Sequence, residues 1–241
     1  MSWRWDFGVD GLCTVLAFDP GETTGWCAIG VQPQWFWGYH GFGTPLEGFD
    51  HYKHGQIDCV SKDLAGWFGV AFKHAGLNMM GENAGIEEML KLACTHYPKS
   101  VVVIEDFIPD MNRMDQARHT LSPVRITAGF SFGMSQYSLN GKLSDERIFV
   151  QNRSLAKTTC TDDRLKRWGM YDPKGGRHAR DAVRHAYYFL RDCVGDDHRA
   201  AFKRHLAWPH LFDDPANSDT DGVIQNPKKR PNRPRKEGEL I

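Results

Sequence analysis

Three short strings hold the residues that could do chemistry: LAFDPGETTGW, VVVIEDF and HARDAVRHA. In the first, Asp19 stands where the apolar run 12–18 meets Pro20 and Gly21, which end a strand and turn the chain. In the second, Glu105 directly follows the unbroken β-branched run 101–104. The third has helical spacing. Ala179, Ala182, Val183, Ala186 and Leu190 form one apolar stripe, and His178, Asp181 and His185 fall beside it at i, i+3 and i+7, within roughly 60° of one another. A carboxylate at the end of a buried strand is costly unless it is solvated, paired or bound to metal. Two strand-end carboxylates and one from a helix are the oxygen donors that a hard divalent cation takes. Two such ions about 4 Å apart activate water and stabilise the leaving 3′-oxygen in phosphodiester hydrolysis. Taken singly, each residue has a plainer reading: a turn aspartate, a solvent-facing strand end, or a helix N-terminus that favours Asp beside exposed histidines.

The elements that must position these residues follow from pattern. Residues 12–18 and 24–31 predict a strand hairpin, and 32–58 must contain at least one further strand. Helices are expected over 60–75 and 84–97, the second stopped by Pro98. Residues 101–104 read as a strand covered on both faces. Ser122 and Pro123 start a helix running to about 139, with Ser as N-cap and Pro at the first helical position. Residues 147–152 read as a strand, and 161–169 and 178–192 as helices. Three strands followed by alternating helix and strand indicate a mixed sheet with helices packed against it.

The 241 residues include 30 basic and 30 acidic ones, so the formal net charge is zero. That total hides a split. Residues 1–100 carry six basic against eleven acidic residues, and 147–184 carry ten against four. A neutral chain can therefore still present a basic face to a polyanion. A hydrophobic content of 41% is that of a globular protein. No apolar run is long enough for a transmembrane helix or a signal peptide. The six cysteines form no C-x-x-C pair, which argues against a zinc cluster and a disulfide framework. The expectation is a reduced, cytoplasmic protein with no membrane contact, in a host cytoplasm if phage-encoded.

Together the three strings resemble the RuvC-type Holliday junction resolvases of the RNase H-like superfamily, and more narrowly the RuvC-like resolvases encoded by bacteriophages. The resemblance spans about residues 12–193. It implies an α/β fold, an RNase H-like five-stranded mixed sheet flanked by helices in a single domain. It also implies a catalytic and metal-binding set. Asp19 matches the first-strand aspartate that bridges two metals, Glu105 the acid ending the fourth strand, and Asp181 the last-helix aspartate. His178 stands where many members have aspartate and some have histidine. The implied cofactor is a pair of Mg2+ ions, with Mn2+ substituting. The implied activity is structure-selective endonuclease cleavage of four-way or other branched DNA, leaving 5′-phosphate and 3′-hydroxyl ends. Arg153 and Lys157 lie where the family sets basic residues against DNA. Glu22, Asp106 and His185 are candidates to support the ligands, although Glu22 also suits a turn and His185 an ordinary helix face. The stretch between Gly25 and Val101 exceeds the compact family pattern, which implies an insertion.

The expected organisation is a nuclease domain over 1–193, an extension over 194–226 and a basic tail over 227–241. The tail lacks the apolar residues for a core, and its Lys228, Lys229 and Arg230 suit phosphate contacts. A four-way junction has two equivalent strands to cut, so a C2 homodimer matches its symmetry. Residues 123–139 are the candidate interface, because Val124, Ala128, Phe130, Phe132, Met134 and Tyr137 exceed one core-facing stripe. Three alternatives compete. DPGETTG also resembles the phosphate loop of actin-like ATPases, which need a second related domain and a second Gly-rich loop. Nucleases of the same superfamily that act on structured RNA share the core residues. A non-catalytic nucleic-acid binder would use the basic segments but would not need acids at the ends of three elements.

Overall fold

The computed structural model describes residues 11–37, 44–60, 78–107, 121–139 and 147–212. The first apolar run forms β1 (Cys13–Asp19), buried along its whole length. The turn through Pro20 and Gly21 returns the chain antiparallel as β2 (Thr23–Val31), and β3 (His51–Asp58) adds to it antiparallel. Helix α1 (Asn78–Lys91) runs on through one π-helical turn, Leu92–His96, and ends just before Pro98. β4 (Val101–Asp106) then pairs parallel with β1. Helix α2 (Ser122–Leu139) leads to β5 (Ile148–Asn152), parallel to β4. Four helices follow: α3 (Arg153–Thr159), α4 (Asp162–Arg167), α5 (Gly176–Asp192) and α6 (His198–Ala207). The sheet order is β3-β2-β1-β4-β5, with β2 alone running against the rest. This is the expected α/β arrangement, a five-stranded mixed sheet flanked by helices.

Side-chain alternation on the inner strands sorts the core into two layers. Cys13, Val15 and Ala17 of β1 and Val101 and Val103 of β4 face α5, meeting Ala182, Val183, Ala186 and Leu190. Leu16, Phe18, Val102 and Ile104 face the other way, onto Met89 of α1 and Ile126, Phe130 and Met134 of α2. The apolar stripe expected on α5 is buried throughout. On α2 the expected excess of apolar residues divides. Phe130 and Met134 belong to the core, so they leave the candidate interface, whereas Val124 and Phe132 are 42% and 68% exposed.

Two helices were not expected from the pattern. At α3 the strand passes straight into a helix without turn residues, because the Asn152 side chain caps it by accepting the Ser154 N–H at 2.9 Å. Past Gly195 the chain reads as polar, yet Asp197 caps α6 by accepting the Ala200 N–H at 2.9 Å. Its Arg204 is buried, lies over the Trp37 ring and donates to the Cys193 and Gly195 carbonyls. Trp208 follows, fully buried, with its indole N–H directed at the Thr14 carbonyl of β1 at 3.4 Å. The sheet-packed core thus continues past residue 193 to Phe212. The helix expected over 60–75 falls almost wholly outside the described residues, as do the tail over 227–241 and its Lys228, Lys229 and Arg230. Among the described residues no helix is long and apolar enough to cross a membrane.

Because Trp208 fills the space between α6 and the sheet, Trp208→Ala should destabilise the protein by about 3–5 kcal/mol. Urea unfolding measures this. A loss below about 1 kcal/mol would mean that the chain beyond α5 is peripheral to the fold.

Candidate metal centre

The parallel register of β1 and β4 aligns Phe18 with Ile104. Asp19 and Glu105 are the next residues on each strand, so they emerge side by side at the carboxyl ends of two adjacent strands. By alternation they share the face of Ala17 and Val103, the one that α5 covers. The first turn of α5 crosses that face at Gly25, the β2 partner of Asp19. A Cβ on Gly25 would lie 1.9 Å from the His178 carbonyl oxygen, so only glycine admits the helix at this distance. This approach delivers Asp181 to the two strand-end acids.

Asp19, Glu105 and Asp181 each offer a carboxylate oxygen, and these atoms lie within 4.8 Å of one another. The three residues are only 7%, 8% and 2% exposed, so water does little to separate their charges. Burial pushes the Asp19 carboxyl above the ordinary carboxylate range. The Glu105 and Asp181 charges push the same way, against the pull of a hydrogen bond to His178. An all-oxygen, like-charged, closely spaced donor set fits a hard divalent cation rather than a soft metal.

The fourth expected residue, His178, joins the group through Asp19. Its Nδ1 is 2.8 Å from Asp19 Oδ2, and its side chain remains 41% exposed. That hydrogen bond holds the imidazole above its ordinary value. Arg153 and Lys157 reach the acids themselves. Lys157 Nζ lies 2.7 Å from Asp181 Oδ2, and Arg153 Nε lies 3.2 Å from Glu105 Oε1. Burial alone would raise Asp181, but the Lys157 hydrogen bond and charge, with Arg184, hold it below the ordinary range. Asp106 is exposed at the end of β4, and Glu22 lies in the β1–β2 turn.

Around the acids, Arg184 and Gln151 go beyond the expected residues, and His185 lies deeper than expected. Arg184 pairs with Asp181 and Asp162 and donates to the Cys160 carbonyl. Its i+3 spacing from Asp181 is visible in the sequence, but its other partners are not. His185 is fully buried against Glu105, more than the helix-face role its position suggests. Gln151 contacts His185 from β5, and only the β4–β5 register brings it there.

No family model matches the sequence, and no curated protein matches it. Among solved structures, the chain is similar to that of T. thermophilus RuvC in complex with Holliday junction substrate. That similarity covers 74% of this chain and 93% of the other, at 11% identity and a TM-score of 0.39.

The charge crowding has a measurable consequence in metal-free protein. The folded-state pKa of Asp19 is raised, so stability falls as pH climbs from the unfolded carboxylate value of about 3.9 through the raised one. His178, also raised, contributes stability below about 6.5 that is lost as pH rises through its folded value. Asp19→Asn removes the carboxylate repulsion together with the His178 pairing. In EDTA the variant should gain on the wild type as pH increases, and above the imidazole range it should be more stable by about 0.5–2 kcal/mol. Urea midpoints between pH 5 and 9 test this, and a variant less stable than wild type at pH 8–9 contradicts it.

Proposed function

We propose that this protein is a magnesium-dependent endonuclease that cuts branched DNA, the four-way junction foremost. The observation that carries the reading is the meeting of Asp19, Glu105 and Asp181, from two strand ends and a helix, within 4.8 Å. The resemblance of their three surrounding strings to RuvC-type resolvases supplies the substrate class. In such a carboxylate site divalent ions activate water and stabilise the leaving oxygen of a phosphodiester. Asp19, Glu105 and Asp181 would hold two ions, with Mn2+ able to replace Mg2+. His178 orients Asp19 through its Nδ1 contact. Lys157 and Arg153 stand at the same acids with side chains 27% and 51% exposed, so both can also meet a phosphate arriving from solvent.

Labelled four-way, three-way and linear DNA, with a structured RNA alongside, test the reading in Mg2+. The four-way junction should be cut best. Asp19→Asn, Glu105→Gln and Asp181→Asn should each lower cleavage at least about a hundredfold, roughly 2.7 kcal/mol of barrier, while junction binding persists. Preferred cutting of RNA would move the enzyme to the RNA-processing branch of the superfamily. Full cleavage by all three variants would remove the nuclease reading.

The proposed enzyme acts as a homodimer, which presents two sites to the two equivalent strands of a junction. Val124, Ala128 and Phe132 support α2 as the contact. The three lie at i, i+4 and i+8 on one exposed face of that helix. Light scattering should give a dimer for the wild type and a monomer for Phe132→Glu. Wild-type monomers, both free and on junction DNA, would end this part of the proposal.

A further inference from the structure

Behind the acids lies a buried polar chain that the expected site residues do not use. His185 is fully buried and Gln151 is 7% exposed. The imidazole Nε2 lies 2.8 Å from Glu105 Oε2, and Nδ1 lies 2.6 Å from Gln151 Oε1. An ionised carboxylate only accepts hydrogen bonds, so the proton on the Glu105 edge belongs to Nε2. The Gln151 amide offers both a donor and an acceptor, so it can satisfy Nδ1 with or without its own proton. Both partners are placed by the fold. Gln151 is the β5 residue in register with Glu105, and His185 stands one helical turn after Asp181 on α5.

The chain commits one oxygen of Glu105 and leaves the other differently placed. Oε2 is fixed inward on His185, while Oε1 faces Arg153, whose side chain is half exposed. A carboxylate held by one buried donor has little freedom to turn about its terminal torsion, so its other oxygen is presented in a set direction. Because the ring sits on the helix that carries Asp181, that direction is fixed relative to a second acid.

We propose that His185, anchored by Gln151, is a positioning residue that orients Glu105 and thereby sets the affinity of the three-carboxylate site for a divalent cation. The inference rests on the metal-centre reading above. Outer partners of metal-binding groups contribute roughly 10–100-fold in metal affinity. The test is Mn2+ titration of the full chain, followed by the electron paramagnetic resonance signal of free Mn2+, with urea midpoints as the fold control. His185→Phe keeps the ring volume and removes the donor, so Mn2+ affinity should fall 10–100-fold. His185→Gln restores an N–H toward Glu105 and should recover most of that loss. Gln151→Met leaves Glu105 untouched and loosens only the ring, so it should weaken Mn2+ by about tenfold. This variant decides the matter should His185→Phe fail to fold. A purely structural role would lower the urea midpoints and leave Mn2+ affinity unchanged. Folded variants that bind Mn2+ within twofold of wild type would overturn the positioning role while the metal centre stands. A wild type that takes up no more Mn2+ than Asp19→Asn would overturn the metal centre, and this inference with it.

Discussion

Three carboxylates brought within 4.8 Å of one another in a buried pocket repel, and each is driven to give up its charge unless positive groups stand close by. The surroundings of the site answer that constraint. Lys157 and Arg153 from α3, and Arg184 and His178 from α5, all touch one of the three acids. Each comes from residues 147–184, where ten basic residues face four acidic ones. The excess charge in that stretch has a local electrostatic use: it stands against the acids delivered by β1, β4 and α5. A chain of zero net charge can thus hold a strongly charged site, because the two signs are separated along the sequence and rejoined by the fold.

The counter-charges are not equivalent. Arg184 is held at three points, by Asp181, Asp162 and the Cys160 carbonyl, and its side chain is 12% exposed. A planar guanidinium used in this way ties α5 to α4 and to the turn between α3 and α4, and it stays where it is. Lys157 meets Asp181 with a single ammonium on a flexible stem and is more than twice as exposed. Arg153 is more exposed still. Asp181 therefore has one anchored and one exchangeable partner, and Glu105 has buried His185 on one oxygen and exposed Arg153 on the other. The exchangeable cations all lie on the outer side of the acids, so the site can change partners there without disturbing its inner supports.

How much of this was legible in the sequence depended on the range of the interaction. Asp19 and Glu105 announce themselves because a strand-ending polar residue contrasts with the apolar run before it. The face of α5 is legible because helical spacing is a local property. Gly25 gave no signal, since its role is to admit a helix that lies some 150 residues further along the chain. Gln151 was invisible for a similar reason: a β5 residue reaches His185 only once the sheet register is known. The α6 helix carries no strong apolar stripe: its buried residues are Ala200, Arg204 and Ala207, a charged residue between two small ones, with Trp208 just past its end. Resemblance set Arg153 and Lys157 against DNA, and nothing local to them shows that they touch the acids.

The geometry of the acids finally depends on how α5 is held, since one helix carries Asp181, His185 and His178. Near its start the helix backbone rests on Gly25, and Gly176 takes a positive φ of 73° in the first turn. Near its end Arg204 of α6 binds the Cys193 and Gly195 carbonyls, and Trp208 reaches back to the Thr14 carbonyl of β1. β1 is also the strand that ends in Asp19. The far end of α5 is thus tied, through α6, to the opposite end of the strand whose carboxylate its first turns must meet. A helix fixed at one end only could swing, and a small rotation would move Asp181 away from Asp19 and Glu105. Fixing the two ends against the paired strands β2 and β1 turns a contact between distant residues into a property of the core, and this is why the packed structure beyond residue 193 bears on the site.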